Sequence, residues 1–156
     1  MASCFFIGHR ETDPDLLPEI KAAADSLIRQ QQVSDFYVGM YGNFDRLAGE
    51  AVIQLKRDYP DVRLFLVLPY HPADRPIEAP PGYDGTFYPD GMETFSRRYA
   101  IAKANRKMID ASDFLIAYVT HSVSHAYDLL EYAIRRQRKG LIRVINLGEN
   151  RVQRCF

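Results

Sequence analysis

The chain lacks an excess of charge of either sign. Lys plus Arg number 20 and Asp plus Glu number 20, so the formal net charge is zero. A general nucleic-acid binder usually carries a basic surplus, so DNA or RNA is not the expected partner; a global sum still leaves room for a local basic patch. Cysteine is scarce. Cys4 and Cys155 stand near opposite ends and neither belongs to a CxxC pair, so no zinc or redox framework follows. Cys4 lies in an apolar run and reads as a small buried hydrophobe, Cys155 as a tail thiol. No apolar stretch approaches the roughly 20 residues that span a bilayer. The opening MASCFFIGHR has only a short apolar run before His9 and Arg10 and does not read as a signal peptide. The expectation is a cytoplasmic protein with no membrane partner. Also missing are GxSxG, a Walker A lysine motif, GxGxxG and a convincing nucleophile–base pair, so no cofactor is called for. No internal repeat, low-complexity segment or linker divides the chain. Residues 1–156 read as one domain, and a hydrophobic fraction of 47% supplies a real core.

What is present is an alternation of short apolar runs with helical patterns. Strands are predicted at Ser3–Ile7, Asp35–Met40, Arg63–Leu68, Asp113–Val119 and Ile142–Leu147. A helix is predicted from Asp15 or Pro18 to Gln31, with Leu16, Ile20, Ala23, Leu27 and Ile28 inward and Asp13-Pro14 as its start signal. A second runs from Asn43 to Arg57, with Phe44, Leu47, Ala51 and Leu55 on one stripe. A long third covers Glu93–Ala111, with Phe95, Tyr99, Ala102, Met108 and Ile109 inward. A fourth covers Ser124–Arg138, with Ala126, Leu130, Ala133 and Ile134 inward and Gly140 capping it. Between the third strand and third helix lies the only irregular stretch, Tyr70–Gly91, rich in proline and glycine, with a short strand at Thr86–Tyr88. A loop of that length is uncommon unless functional or disordered. Strands separated by helices give βαβ units, and right-handed crossovers place helices on both faces of a parallel sheet. The predicted fold class is α/β: a Rossmann-like three-layer α/β/α domain with a mostly parallel central sheet.

In such sheets the ligand lies beyond the carboxyl ends of the strands, where strand order reverses. Four segments stand there. Gly8-His9-Arg10 follows the first strand; Arg10 either clamps a phosphate or pairs on the surface with Glu11 or Asp13. Gly39-Met40-Tyr41-Gly42-Asn43-Phe44-Asp45 follows the second. Its glycines allow close backbone approach and the helix start suits an anion, while Asn43 or Asp45 also reads as a plain N-cap. Pro69-Tyr70-His71 follows the third. Thr120-His121-Ser122-Val123-Ser124-His125 follows the strand ending near Val119. His121 and His125 are four apart, a metal spacing on a helix, but they straddle a loop–helix junction without a third ligand. Hydrogen bonding to a ligand or simple exposure is expected instead, and no metal. Arg98 and Asn105 are seven apart on one face of the long helix. With Arg97, Lys103, Arg106 and Lys107 that face is either solvated or aims Arg97 or Arg98 at an anion. The cations Arg135, Arg136, Arg138 and Lys139 complement a helix C-terminus and read as structural.

Three segments together, FFIGHRE, FYVGMYGNFDRLAGEAVIQLKRDYPDV and NRKMIDASDFLIAYVTHSVSHAYDLLEYAIRR, resemble the SLOG superfamily of DprA- and LOG-related Rossmannoids. The nearest branch is the YpsA-like group bearing a GHR motif. The resemblance covers nearly the whole chain. It implies a sheet whose loops hold nucleotides or nucleotide-derived ligands. LOG members cleave the N-glycosidic bond of a nucleoside monophosphate, DprA members bind single-stranded DNA, and other SLOG domains sense ADP-ribose-like or cyclic nucleotide signals in antiviral defence. Sequestering proteins for such signals are a further class. Gly8, His9 and Arg10 match the first motif, and Gly39, Gly42, Asn43, Phe44 and Asp45 the second. Asn105 matches the Asn of an Arg-Asn pair, but Ala104 replaces the arginine. Ser124-His125 stands where most relatives carry Gly-Gly or Gly-Asn, and the PGGxGTxxE motif of LOG enzymes is absent. A side chain at a glycine position blocks backbone approach to phosphate, which weakens the hydrolase reading more than the binding reading; His125 offers a donor of its own.

The expected function is binding of a nucleotide-derived small molecule by a sensor or a sequestering protein. Arg10 and Arg97 or Arg98 would neutralise phosphate. Gly39–Asn43 and Thr120–Ser124 would supply donors, and Tyr41, Phe44 or Tyr70 would stack on a base. The alternative is a LOG-like phosphoribohydrolase, which needs a carboxylate beside the ribosyl centre, with Asp45, Asp128 or Glu131 as candidates. DprA-like binding of single strands is the third reading, disfavoured by neutral charge. Relatives imply a homo-oligomer, dimer or tetramer.

Overall fold

Among the described residues, six strands and four α-helices follow in this order: β1 (Ala2–Gly8), α1 (Leu17–Gln31), β2 (Val33–Val38), α2 (Asn43–Lys56), β3 (Arg63–Val67), β4 (Gly85–Phe87), α3 (Ala100–Ala111), β5 (Phe114–Tyr118), α4 (His125–Arg138) and β6 (Arg143–Asn146). These come from a computed structural model that describes residues 2–94 and 96–149; Phe95 and Cys155 lie outside the described residues. Every strand pair is parallel, in the order β4-β3-β2-β1-β5-β6. The sheet expected to be mostly parallel is therefore entirely so among the described residues, and the architecture is a Rossmann-like α/β/α sandwich.

The strand sequences explain the layers. In β1, Cys4, Phe5, Phe6 and Ile7 are all buried, as a strand covered on both faces requires. Cys4 and Phe6 face the layer of α1 and α2. Phe5 and Ile7 face the layer of α3 and α4. On the first side Phe44 packs against Phe6 and lies nearly parallel to Tyr118, ring centroids 6.3 Å apart. No described helix is long and apolar enough to cross a membrane.

Several boundaries differ from the sequence reading. β2 begins at Val33 and ends before Gly39, because Gln32 closes α1 in the left-handed conformation (φ 58°) and the strand starts at once. The third helix starts at Ala100, not Glu93. Two short 3-10 turns, Met92–Thr94 and Arg97–Tyr99, precede it, and Ser96 between them is extended. Its buried stripe is Ala100, Ala104, Met108 and Ile109. Tyr99, expected inward, is 54% exposed, and Ala102 is only half-buried. Arg98 therefore does not share a helix face with Asn105. Gly140 ends α4 with φ 74°, as read from sequence.

The proline-rich stretch is anchored rather than loose. β4 extends the sheet beside β3. Lys56 Nζ reaches Asp84 Oδ2 at 2.6 Å and the Gly82 carbonyl at 2.9 Å. Asp84 Oδ2 also accepts the Leu64 N–H at 2.8 Å. The Tyr83 hydroxyl sits against Gly49 where a Cβ would stand. A glycine inside a helix costs about 1 kcal/mol relative to alanine; here it makes room for the loop to dock.

Candidate ligand-binding site

The chain winds outward from β1 through β2, β3 and β4, then returns to the other side of β1 as β5 and β6. Crossovers on either side of β1 diverge at that reversal and open a crevice at the carboxyl ends of the strands. A cleft of about 310 Å³ lies there. Its floor is the end of β1 with Gly8, His9 and Arg10. One wall is Gly39, Tyr41 and Asp45 from the β2–α2 turn. The other carries Ile101 and Asn105 of α3, and Ser124, His125, Ala126 and Leu129 at the start of α4.

The glycines of the two motifs serve the protein's own packing. A Cβ on Gly8 would enter the Phe44 ring. A Cβ on Gly42 (φ 111°) would stand 2.7 Å from the Arg10 Cα, and one on Gly39 would stand 2.8 Å from Asp45 Oδ2. Asn43 is likewise structural. Its N–H donates to the Arg10 carbonyl at 2.8 Å, its Nδ2 donates to the Thr12 carbonyl at 3.3 Å, and its Oδ1 accepts from Arg46 at 2.9 Å. The sequence reading gave these residues to the ligand. In the fold they bind the β2–α2 turn to the loop after β1, which sets the Arg10 backbone. The Arg10 side chain is exposed at the cleft and makes no ion pair with Glu11 or Asp13.

His9 ties the two sides of the crevice. Its Nε2 accepts the Thr120 N–H at 2.9 Å, and its ring stacks on His121 at 4.0 Å with 4° between planes. Burial first, then the His121 ring, lowers its pKa below the ordinary histidine value. An acceptor Nε2 requires the neutral ring, so burial and the Thr120 bond agree.

α4 presents its amino end to the cleft. Ser124 caps it by accepting the Tyr127 N–H at 3.0 Å, which leaves the His125 and Ala126 N–H groups without partners inside the helix. His125 Nε2 lies 3.5 Å from Asn105 Nδ2, and burial lowers its pKa too.

Asp45 faces this donor-rich end. It is partly accessible, and Oδ2 accepts the Tyr41 N–H at 3.2 Å. Burial pushes the carboxyl up to about 7, against the lowering effect of that amide. Behind it stands Tyr83, whose own pKa is raised by burial and by Asp45. At the rim the Tyr41 hydroxyl bonds to Arg75. Arg75 lies 4.8 Å from the Tyr70 ring centroid and Arg97 6.0 Å from it.

Other expected residues lie elsewhere. Met40, Gly42 and Asn43 line a neighbouring groove of about 390 Å³ with Arg46 and Tyr83. Phe44 and Pro69 are buried, so Phe44 is not placed to stack on a base. His71 is exposed; its Nδ1 accepts the Ala73 N–H and its ring meets Tyr88. Arg98 lies over Tyr99. Thr120, His121 and Ser122 do not line the cleft, although Thr120 and His121 hold His9. Of the three candidate carboxylates, only Asp45 lines it. Asp128 lines a separate groove with Lys103 and Arg106, and Glu131 is half-buried farther along α4. The sequence reading missed Ile101 and Leu129, which form an apolar wall, as well as Arg75 and Tyr83. Gly49 inside a predicted helix was a signal for Tyr83; Arg75, in an irregular loop, gave none. Among the described residues no group of three or more His, Cys, Asp or Glu could hold a metal ion. No family model matches the chain, and no curated protein matches it.

Proposed function

We propose that the chain binds a phosphate-bearing, nucleotide-derived small molecule in the β1–β5 crevice, as a SLOG-like sensor or sequestering protein. One observation carries the reading: at the switch point of a parallel sheet, Arg10 on the floor, Asp45 on one wall and the amino end of α4 on the other line a single cleft. A guanidinium with no ion pair among the described residues and helix N–H groups without partners inside the helix, lining the same cleft, attract a phosphate through charge-assisted bonds and the helix dipole. Ile101 and Leu129 add apolar surface to the lining. Tyr41, whose hydroxyl bonds to Arg75, lines the cleft and offers an aromatic face for a base; Tyr70 and Arg97 do not line it, and Arg75 and Arg97 lie over the Tyr70 ring. The resemblance extends the proposal to a homo-oligomer, and the sequence expectation of a cytoplasmic protein is kept with it.

The test is titration calorimetry or thermal shift over nucleoside phosphates, ADP-ribose and cyclic dinucleotides. A bound ligand raises stability by about 2.7 kcal/mol at a hundredfold excess over Kd. Arg10→Ala is expected to weaken binding at least about tenfold, the worth of one charge-assisted contact. Unchanged affinity in Arg10→Ala would sink the phosphate assignment.

A second reading, LOG-like hydrolysis of a nucleoside monophosphate, is favoured by the carboxyl of Asp45 inside the cleft. A group that titrates near neutrality can transfer a proton to a departing base. Release of free base that stops in Asp45→Asn selects this reading; intact ligand recovered from the denatured protein selects binding.

A further inference from the structure

Asp45 is the one carboxyl among the described residues that line the cleft. Only one of its oxygens is engaged by the protein: Oδ2 takes the Tyr41 N–H, and Oδ1 has no donor among the described residues. The carboxyl is not an N-cap, since Gly42 holds that place and no side chain caps α2. Nor does it pair with a cation among the described residues. Gly39, by lacking a Cβ, is what lets it lie back against the end of β2.

The cleft is thus polar in one direction. Donors stand on the α4 wall, with Arg10 on the floor against the β2–α2 turn, and an acceptor, Asp45, stands on the wall which that turn forms. A ligand that satisfies both carries an anion on one side and hydroxyl or amino hydrogens on the other. The volume, about 310 Å³, is at the low end of the 300–1,000 Å³ range of small-molecule sites. That suits a sugar phosphate with its base directed to the Tyr41 rim, and is small for a dinucleotide. Carboxylates near the end of a second parallel strand take ribose hydroxyls in dinucleotide folds; Asp45 belongs to the first turn of α2, and its carboxyl reaches back to Gly39, just past the end of β2.

We infer that Asp45 accepts the 2′-hydroxyl of a ribonucleoside 5′-monophosphate and is the residue that selects ribose over deoxyribose in this cleft. The inference rests on the proposed nucleotide-binding reading. Asp45 lines this cleft and not the neighbouring groove, which Tyr83 lines.

The test is titration calorimetry at pH 8 with AMP, GMP, CMP and UMP, with the deoxyribose counterpart of each, and with ribose 5-phosphate. It compares the parent chain with Asp45→Asn and Asp45→Ala, whose folding is checked by circular dichroism. The parent is expected to bind at least one ribonucleotide about tenfold or more tighter than its deoxy counterpart. In both variants that preference falls to about threefold or less, while the deoxy form binds about as it did to the parent. A parent that binds both sugars equally, or a preference that persists in Asp45→Ala, overturns the inference and leaves the nucleotide site standing. A parent that binds none of the probes overturns the binding reading itself, and this inference with it.

Discussion

Gly8→Ala is expected to destabilise the chain by about 3 kcal/mol or more, enough to lower its soluble yield. A Cβ at this position would lie within the Phe44 ring. Phe44 cannot retreat, because it is buried between Phe6 and Tyr118. Overpacking a filled core typically costs 1–3 kcal/mol, and more where the clash is direct. The cause is contact, not backbone conformation, since Gly8 does not adopt a positive φ. A smaller partner should therefore relieve it. The double variant Gly8→Ala/Phe44→Leu is expected to be more stable than the sum of its single changes by about 1–2 kcal/mol. Urea unfolding of the four proteins checks this; strict additivity would show that Gly8 is needed for another reason.

Asp45→Asn is expected to raise stability at pH 8 and to change it little at pH 4. The unfolded carboxyl titrates near 3.8 and the folded one at about 7. Between those values the folded protein keeps a proton that the unfolded chain has released. Stability therefore falls as pH rises through that window and stays low above it. The full difference corresponds to about 4 kcal/mol at 1.36 kcal/mol per pH unit. Partial access of the carboxyl to the cleft reduces the expected gain to about 2 kcal/mol, which is several degrees in Tm for a chain of this size. The groups facing Asp45 do not reverse the sign. Tyr41 and Tyr83 have raised pKa values, so both stay neutral here. His9 and His125, across the cleft, have theirs lowered. Asparagine keeps an oxygen for the Tyr41 N–H. An equal shift at both pH values, or a loss at pH 8, would contradict the assignment. A carboxyl that opposes folding at neutral pH is understandable in a site built to meet a guest.

The sequence was a good guide wherever one element decides the outcome. The β1 run of Cys4 to Ile7 reads as buried on both faces because each residue is apolar. Gly140 reads as a stop, and the α2 stripe of Phe44, Leu47, Ala51 and Leu55 follows from its spacing; Ser124, read as a ligand donor, instead caps α4. The segments after β1 and β2 were sought in the right place because strand order alone locates the crevice. The reading failed where the deciding partner is distant in the chain. Gly8, Gly42 and Asn43 look like ligand-loop residues, yet they answer to Phe44, Arg10 and Thr12. His9 looks like a ligand group, yet its Nε2 is taken by Thr120, 111 residues away. The start of α3 was misplaced because the aromatic and cationic residues of 93–99 continue a helical rhythm that extended Ser96 interrupts. Nothing local in the sequence separates Asp45 from Asp128 and Glu131; only the cleft does so.

Two-dimensional ¹H–¹⁵N NMR of the labelled chain, titrated with the ribonucleotides named above, tests the binding site most directly. The expected result is saturable shifts concentrated on the amides of Gly8, Arg10, Tyr41, Asp45, His125 and Ala126, lost in Arg10→Ala. Shifts confined to α1 or to the 390 Å³ groove around Arg46, or none with any nucleotide, would contradict it.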